Sequence, residues 1–361
     1  MRGMSMSSDH PAPSPIPIAT LSGWVEQAFV RAGLSATDAS HAAEPLVLSD
    51  SMGVYTHGTK LLPGYLRKLV ARGYKPDARP RMVRQGPGFA VLDGDASLGQ
   101  IGCRHAVDVA IEKARNVGVA YVGLRNTGHI GAAGAQVVRA AREGFFALVV
   151  GNDRPSVAAA GSRGAVLGSN PLAWGAPVPG GDPIFLDIAT AAVAGGKVYA
   201  AVARGEPIPS TWLIDERGLP TADGSLYPQH ASLAPMAGHK GYGIGVLAEW
   251  LSGILAGGAV TTQVGSWLFD PPGDPTFHNA GFIVFDISAI ADPDAYGPSL
   301  ARFAAEVRGA AAAEGSDRVR LPGDLEWEQY RHSLAAGIAL PADVRANLAE
   351  AGGIVDLGLP W

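Results

Sequence analysis

The chain has one cysteine in 361 residues, so no intrachain disulfide framework can hold it together. Cys103 falls in a stretch with helical pattern, 98 to 117, and is most simply a small buried side chain in a reducing compartment. Aromatic residues are scarce at 7%, and charge at 17% is diluted in 47% hydrophobic content, a balance that builds a buried core. Basic runs are missing too: 28 Lys and Arg against 33 Asp and Glu leave a formal charge of −5, with no electrostatic case for nucleic acid or an anionic membrane. Every long apolar stretch is broken by Gly, Arg, Asp or Glu before the ~18 residues that a membrane span requires. No secretory leader is recognisable, and the expected location is the cytoplasm. The nine histidines are scattered without zinc spacing, so no metal site is expected.

What the chain has in quantity is glycine, 48 residues, and the most informative cluster surrounds a histidine: Arg125-Asn126-Thr127-Gly128-His129-Ile130-Gly131-Ala132-Ala133-Gly134. Glycines at 128, 131 and 134 let backbone approach a ligand, and His129 can titrate near neutral pH. The strand-like run 119 to 124 before it and the helix-like run 135 to 142 after it invite a Rossmann reading, with Asp153 about twenty residues on as the ribose acid. The fingerprint is broken, however. His129 stands where its first glycine belongs, and a Cβ there crowds a pyrophosphate.

A second histidine lies upstream in Thr56-His57-Gly58-Thr59-Lys60-Leu61. Residues 37 to 50 have helical pattern, with Thr37 or Asp38 as cap, and 61 to 70 carry apolar residues at helical spacing. His57 therefore falls in a joint between helices, where Thr56 can fix which ring nitrogen bears the proton. The plainer alternative is a histidine satisfied inside a helix corner.

These runs stand in order with others: Leu98-Gly99-Gln100, Gly168-Ser169-Asn170-Pro171, Leu186-Asp187-Ile188-Ala189-Thr190, Arg204-Gly205-Glu206-Pro207-Ile208-Pro209, Gly238-His239-Lys240-Gly241-Tyr242, Leu321-Pro322-Gly323-Asp324 and Gly337-Ile338. Together, from about residue 20 to the C-terminus, they resemble the malate/L-lactate dehydrogenase family, which includes sulfolactate and ureidoglycolate dehydrogenases and piperideine-2-carboxylate reductase. The resemblance implies hydride transfer between NAD or NADP and a small 2-keto or 2-hydroxy acid, on a fold that is not a Rossmann fold, in a homodimer. A cyclic imino acid reductase, or a nucleotide-binding paralogue without dehydrogenase activity, is the alternative.

The resemblance also implies roles. His57 is the general acid/base with Thr56 relaying to it, and His129 is the competing candidate beside the nicotinamide. Cofactor contacts carried over are His129, Ile130, Asn152, Asp153, Asp187, Ile188, Ala189, His239, Lys240, Gly323 and Asp324. Taken alone, Asp187 reads better as a cap for a helix beginning near Thr190, and Lys240 equally as a solvated helix start, although free N–H groups there suit a phosphate. Members of the family usually carry Ser-His-Gly with an arginine four residues after the histidine; here Thr56 and Leu61 occupy those places. Leucine cannot hold a carboxylate, so Lys60, Lys197 or Arg154 is expected to substitute. Lys197, after Gly195-Gly196, is similar to the hydroxy-acid branch, with an exposed helix lysine as its simpler reading; Asp153-Arg154 is unusual and bears on nucleotide preference.

The pattern along the chain predicts mixed α/β structure. Residues 1 to 16 read as a disordered tail, 17 to 75 and 290 to 361 as a helical domain made from both chain ends, and 76 to 289 as an α/β domain that binds cofactor and substrate around a mixed sheet. Residues 256 to 280, rich in Gly and Pro, form a long loop that covers the site or mediates subunit contact.

Overall fold

The computed structural model describes residues 14–361. Three helices open the chain: α1 (Ile18–Arg31), α2 (Ala36–Ser51) and α3 (Leu62–Val70). They close on the last helix, α11 (Ala342–Val355), over a core that includes Leu21, Trp24, Phe29, Leu46, Leu66, Leu69 and Leu348. The cap of α2 is Ser35, whose hydroxyl accepts the Asp38 N–H at 3.1 Å, rather than Thr37 or Asp38. Ile16, assigned from the sequence to the tail, has a fixed place. Ile16 is buried and exchanges two backbone hydrogen bonds with Ile338, which ties the start of the chain to its end; residues 1–13 lie outside the described part.

The central sheet has seven strands in the order β1-β2-β3-β12-β4-β7-β8: β1 (Arg81–Gly86), β2 (Phe89–Ser97), β3 (Val119–Thr127), β4 (Phe145–Gly151), β7 (Leu172–Ala176), β8 (Ile184–Ile188) and β12 (His278–Asp286). Between β2 and β3 runs α4 (Gly99–Val117), ended by Gly118 at a φ of 85° that favours glycine; β2 and β3 form the parallel pair of this sheet. Helix α5 (Ala133–Arg142) joins β3 to β4, and here the fold departs from a Rossmann unit, as the broken fingerprint implied. Strand β12 lies between β3 and β4, antiparallel to both, with Phe282 opposite Val122 on one side and Val149 on the other. The local βαβ signature is genuine, but its two strands have been prised apart by a strand from far down the chain.

Helices α4 and α5 cover one face of the sheet through Cys103, Ala106, Val107, Ala110 and Val137, Val138. The other face meets α7 (His239–Glu249) and its continuation as a wide π-type turn, Trp250–Ile254. Gly281 on β12 permits that approach: a Cβ there would sit 2.7 Å from the Leu251 carbonyl oxygen, which also accepts from the Tyr121 hydroxyl at 2.7 Å.

A second sheet, not anticipated from the sequence, has the order β10-β9-β11-β5-β6: β5 (Val157–Ala158), β6 (Ala165–Leu167), β9 (Leu213–Asp215), β10 (Pro220–Thr221) and β11 (Ala231–Leu233). Val157, Leu213 and Leu233 pack under α6 (Gly195–Ala203) through Val198 and Ala201. Helix α8 (Ile287–Ile290) and helix α9 (Pro293–Arg308) follow β12, and no residue of α9 is buried. Helix α10 (Asp324–Ala336) instead joins the sheet core: Trp327 donates its indole N–H to the Pro183 carbonyl at 2.7 Å and meets Phe185 edge-on at 5.8 Å. Replacing Trp327 with alanine leaves a cavity and an unpaired carbonyl, so urea unfolding should show a loss of about 3–5 kcal/mol.

Candidate active site

The strand directions bring four chain crossings to one end of the central sheet. The loop after β3 carries His129, the turn after β4 carries Asp153, β8 ends beyond Asp187, and β12 begins at His278. From the helical layer, the short turn Tyr55–His57 that follows α2 delivers His57 to the same place.

That turn is anchored from below. Asp50, fully buried on α2, accepts the Thr59 N–H at 3.0 Å and the Thr59 hydroxyl at 2.5 Å. A Cβ at position 58 would collide with Asp50 Oδ1, so glycine is required between His57 and Thr59. Burial pushes the Asp50 carboxyl up to about 7 against the pull of those two Thr59 bonds. The Thr56 hydroxyl sits 3.0 Å from His57 Nδ1, which leaves Nε2 open. The His57 ring lies 6.4 Å from that of His129, roughly parallel to it.

His129 is held on every side but one. Its backbone N–H donates to the Tyr74 hydroxyl at 3.1 Å, and Tyr74 in turn meets Thr276 at 3.2 Å. Its Nδ1 is 2.8 Å from the Tyr65 hydroxyl, Trp267 stacks on its ring at 4.7 Å, and His278 stands edge-on at 5.7 Å. His278 is itself buried between Thr276, 2.8 Å from Nδ1, and Asp153, 3.1 Å from Nε2.

Crowding by protein sets the charge states. Burial pushes the His129 pKa down to about 3, with His278 and His57 adding to the fall and Asp153 opposing it. Burial also lowers His57, while Asp187 and Asp153 pull it back up. Asp153 ends below the usual carboxylate range: burial raises it, but the His278 bond, the two histidines and the Arg154 N–H together outweigh that. Asp187, on the wall of the cleft, is raised by crowding while the Gly134 N–H and His57 act the other way.

Several expected residues have other tasks. Asp187 caps a helix, but not one near Thr190, where none begins: its carboxylate accepts the Gly134 N–H of α5 at 2.7 Å. Asn152 has no amide atom to spare, since it donates to Glu249 and to the Ala259 carbonyl and accepts from Asn279. Lys60 does not join the histidines; its ammonium pairs with Asp343 on α11 at 2.7 Å, and Leu61 packs on the helical core. Asp324 is bound by Arg308 at 2.9 and 2.5 Å, while Gly323, at a φ of 90°, lets the chain pass against Phe185 beside Asp187. Ile130 is buried against Gly151, and Ile188 and Ala189 are half-buried where β8 leaves the sheet. Arg154, Lys197, His239 and Lys240 are exposed, and Arg154 lies over the Phe269 ring at 5.8 Å.

Tyr65, Tyr74, Trp267 and His278 were not foreseen. Trp267 and His278 belong to the long Gly/Pro-rich region, and nothing in their neighbours signals a site; Tyr65 and Tyr74 look like core aromatics, which they also are. Behind the site a buried polar network was missed as well. Glu249 accepts from Asn152 at 3.2 Å, Asn170 at 2.8 Å and the Thr261 N–H at 2.8 Å.

The sequence profile described as malate/L-lactate dehydrogenase matches residues 16–349. The chain belongs to that family. A malate dehydrogenase of Pyrococcus abyssi is 37% identical over 256 residues, covering 69% of this chain and 70% of that one. A ureidoglycolate dehydrogenase (NAD(+)) of Escherichia coli is 32% identical over 327 residues, 90% of this chain and 92% of the relative. Among solved structures, sulfolactate dehydrogenase from Methanocaldococcus jannaschii superimposes with a TM-score of 0.88 at 27% identity, over 96% of this chain and 98% of the other. As a member of the malate/L-lactate dehydrogenase family the protein is a dehydrogenase-type oxidoreductase, and its mixed sheet is the family's fold.

In this family member the Glu249 network bonds the ends of β4 and β7 to α7. Glu249→Ala strands two buried amides and one N–H, and thermal or urea melts should show a loss of about 3 kcal/mol.

Proposed function

We propose that the protein transfers hydride between NAD or NADP and a small 2-keto or 2-hydroxy acid, with His57 as the acid/base. One observation carries the assignment: His57 has Nδ1 engaged by Thr56 and Nε2 free, on a turn anchored by Asp50, facing the His129 ring across 6.4 Å. His129 is less suited to proton transfer, because its pKa near 3 keeps it neutral at every working pH.

The residues present suit a nicotinamide dinucleotide. Helix α7 opens with Gly238 at a φ of 65°, where a Cβ would meet open space, and with His239 and Lys240 both exposed. A groove lined by Ser162, Ser210, Thr211, Met236 and Gly238 leads to that helix start. Lys240, His239 and the helix N-terminus would hold the phosphates, and Asp187 with the chain at Ile188 and Ala189 would face a ribose. When bound, the cofactor would supply the hydride in reduction and accept it in oxidation.

The chain's own part is proton transfer and orientation. In the reducing direction His57 hands a proton from Nε2 to the carbonyl oxygen; in the oxidising direction it takes the hydroxyl proton, with Thr56 holding Nδ1. Arg154 is the cation that would hold the substrate carboxylate, since Lys60 is committed to Asp343 and Arg154 has no carboxylate partner among the described residues. Lys197, on α6, is the second such cation, and relatives with malate and sulfolactate in their names fit a substrate of this charge.

His57→Asn should cut kcat by roughly 10²–10⁴. Binding of NADH, followed by its fluorescence, should stay within about two-fold of wild type. Normal turnover in this variant would remove His57 from the role. Because burial lowers the His57 pKa from 6.5, the imidazole is a ready base at neutral pH. Oxidation should therefore lose kcat/KM only below that value as the ring protonates, while reduction, which needs the protonated ring, should gain as pH falls.

A further inference from the structure

His129 carries one proton when neutral, and what it can do in the cleft depends on which nitrogen holds that proton. Among the described residues the one side-chain partner of Nδ1 is the Tyr65 hydroxyl at 2.8 Å. Two arrangements satisfy that distance. Either the phenol donates to a bare Nδ1, or Nδ1–H donates to the phenol oxygen and the phenol proton goes elsewhere.

The surroundings of Tyr65 select the first. The phenol is fully buried, and burial pushes its pKa well above 10, so it keeps its proton. The side chain next to it is Gln100, also buried, with neither amide atom hydrogen-bonded to any described residue. The Gln100 amide nitrogen faces the Gly131 loop, and its amide oxygen takes no proton from the phenol. Among the described residues the Tyr65 hydroxyl has one hydrogen-bond partner, Nδ1 of His129, so the phenol proton that burial keeps in place goes there instead of being stranded in a dry interior. Trp267 then clamps both rings, at 5.0 Å from Tyr65 and 4.7 Å from His129, and Tyr74 fixes the His129 backbone. The charged and titratable groups around the imidazole are His57, His278, Asp153 and Tyr65, and none of them bonds Nε2.

We propose that Tyr65 is a positioning residue that fixes the His129 proton on Nε2, so that His129 presents a hydrogen-bond donor to an acceptor oxygen in the cleft and leaves proton transfer to His57. This deepens the acid/base assignment above and rests on it for its catalytic meaning. The tautomer itself stands apart from that assignment. A donor that neither gains nor loses a proton over the working range steadies a carbonyl or carboxylate oxygen in both directions of the reaction. The arrangement also explains why a tyrosine, and not a phenylalanine, is used at a buried stacking position.

The test is long-range nitrogen–proton NMR of the full chain labelled with 15N-histidine, with the His129 signals assigned by their loss in His129→Gln. In wild type, His129 should show a protonated Nε2 and a bare Nδ1 from about pH 5 to about pH 9. In Tyr65→Phe, which keeps the ring stack, the signals should move toward a mixture of tautomers, and kcat/KM should fall about ten-fold while the pH profile governed by His57 keeps its midpoint. A wild-type His129 with its proton on Nδ1, an imidazolium near pH 7, or an unchanged tautomer in Tyr65→Phe would overturn the proposal. Absence of dehydrogenase turnover with the expected wild-type tautomer would instead strike the acid/base reading and leave the Tyr65 assignment standing.

Discussion

Strand β12 is the constraint on which the remaining architecture hangs. By pairing antiparallel with β3 on one side and β4 on the other, it sets its own first residues beside the last residues of both neighbours: His278 opposite Thr127, and Ala280 opposite Gly151. Everything chemical in the molecule leaves the sheet at that end. His129 follows β3 by two residues and Asp153 follows β4 by two, so the His278–Asp153 pair and the edge-on contact of His278 with His129 are consequences of register. A slip of one residue would turn Phe282 out of the core and His278 away from the cleft together.

The polar interior works in the same direction as the strands. Asn152, Asn170, Asn279 and Glu249 bond one another and the backbone where β4, β7, β12 and the helix α7 converge, and their buried atoms are paired. Such groups tolerate little displacement, because each unmade bond in a dry interior costs more than a made one contributes. A rigid floor of this kind suits a site in which two imidazoles must keep distinct protonation behaviour only 6.4 Å apart. Burial lowers both, but Asp187 and Asp153 pull His57 back up, whereas His278 and His57 push His129 further down.

Much of the local structure was legible along the chain. Periodicity located the helices within 37–50, 61–70, 98–117 and 135–142 and the strand at 119, since these segments carry their apolar residues at the spacing their own backbone requires. Gly58 and Gly118 mark a tight approach and a helix end that a Cβ or a right-handed φ forbids. The two histidines of interest were visible too, because glycine-rich and helix-joint settings are local features. Less legible were roles set by a partner. Lys60 looked free until Asp343, far along the chain, came to lie 2.7 Å away, and Asn152 looked like a ligand until Glu249 and Asn279 used its amide.

The amino-acid order alone determined the mixed α/β class, the joint that carries His57, the glycine loop that carries His129 and the family to which they belong, because each rests on residues close together in the chain. Only the tertiary structure decided that β12 parts β3 from β4, that Trp267, Tyr65 and His278 enclose His129, and which cations stay free. Those outcomes depend on contacts between segments 64 or more residues apart, where strand register and burial, not local pattern, choose the neighbour.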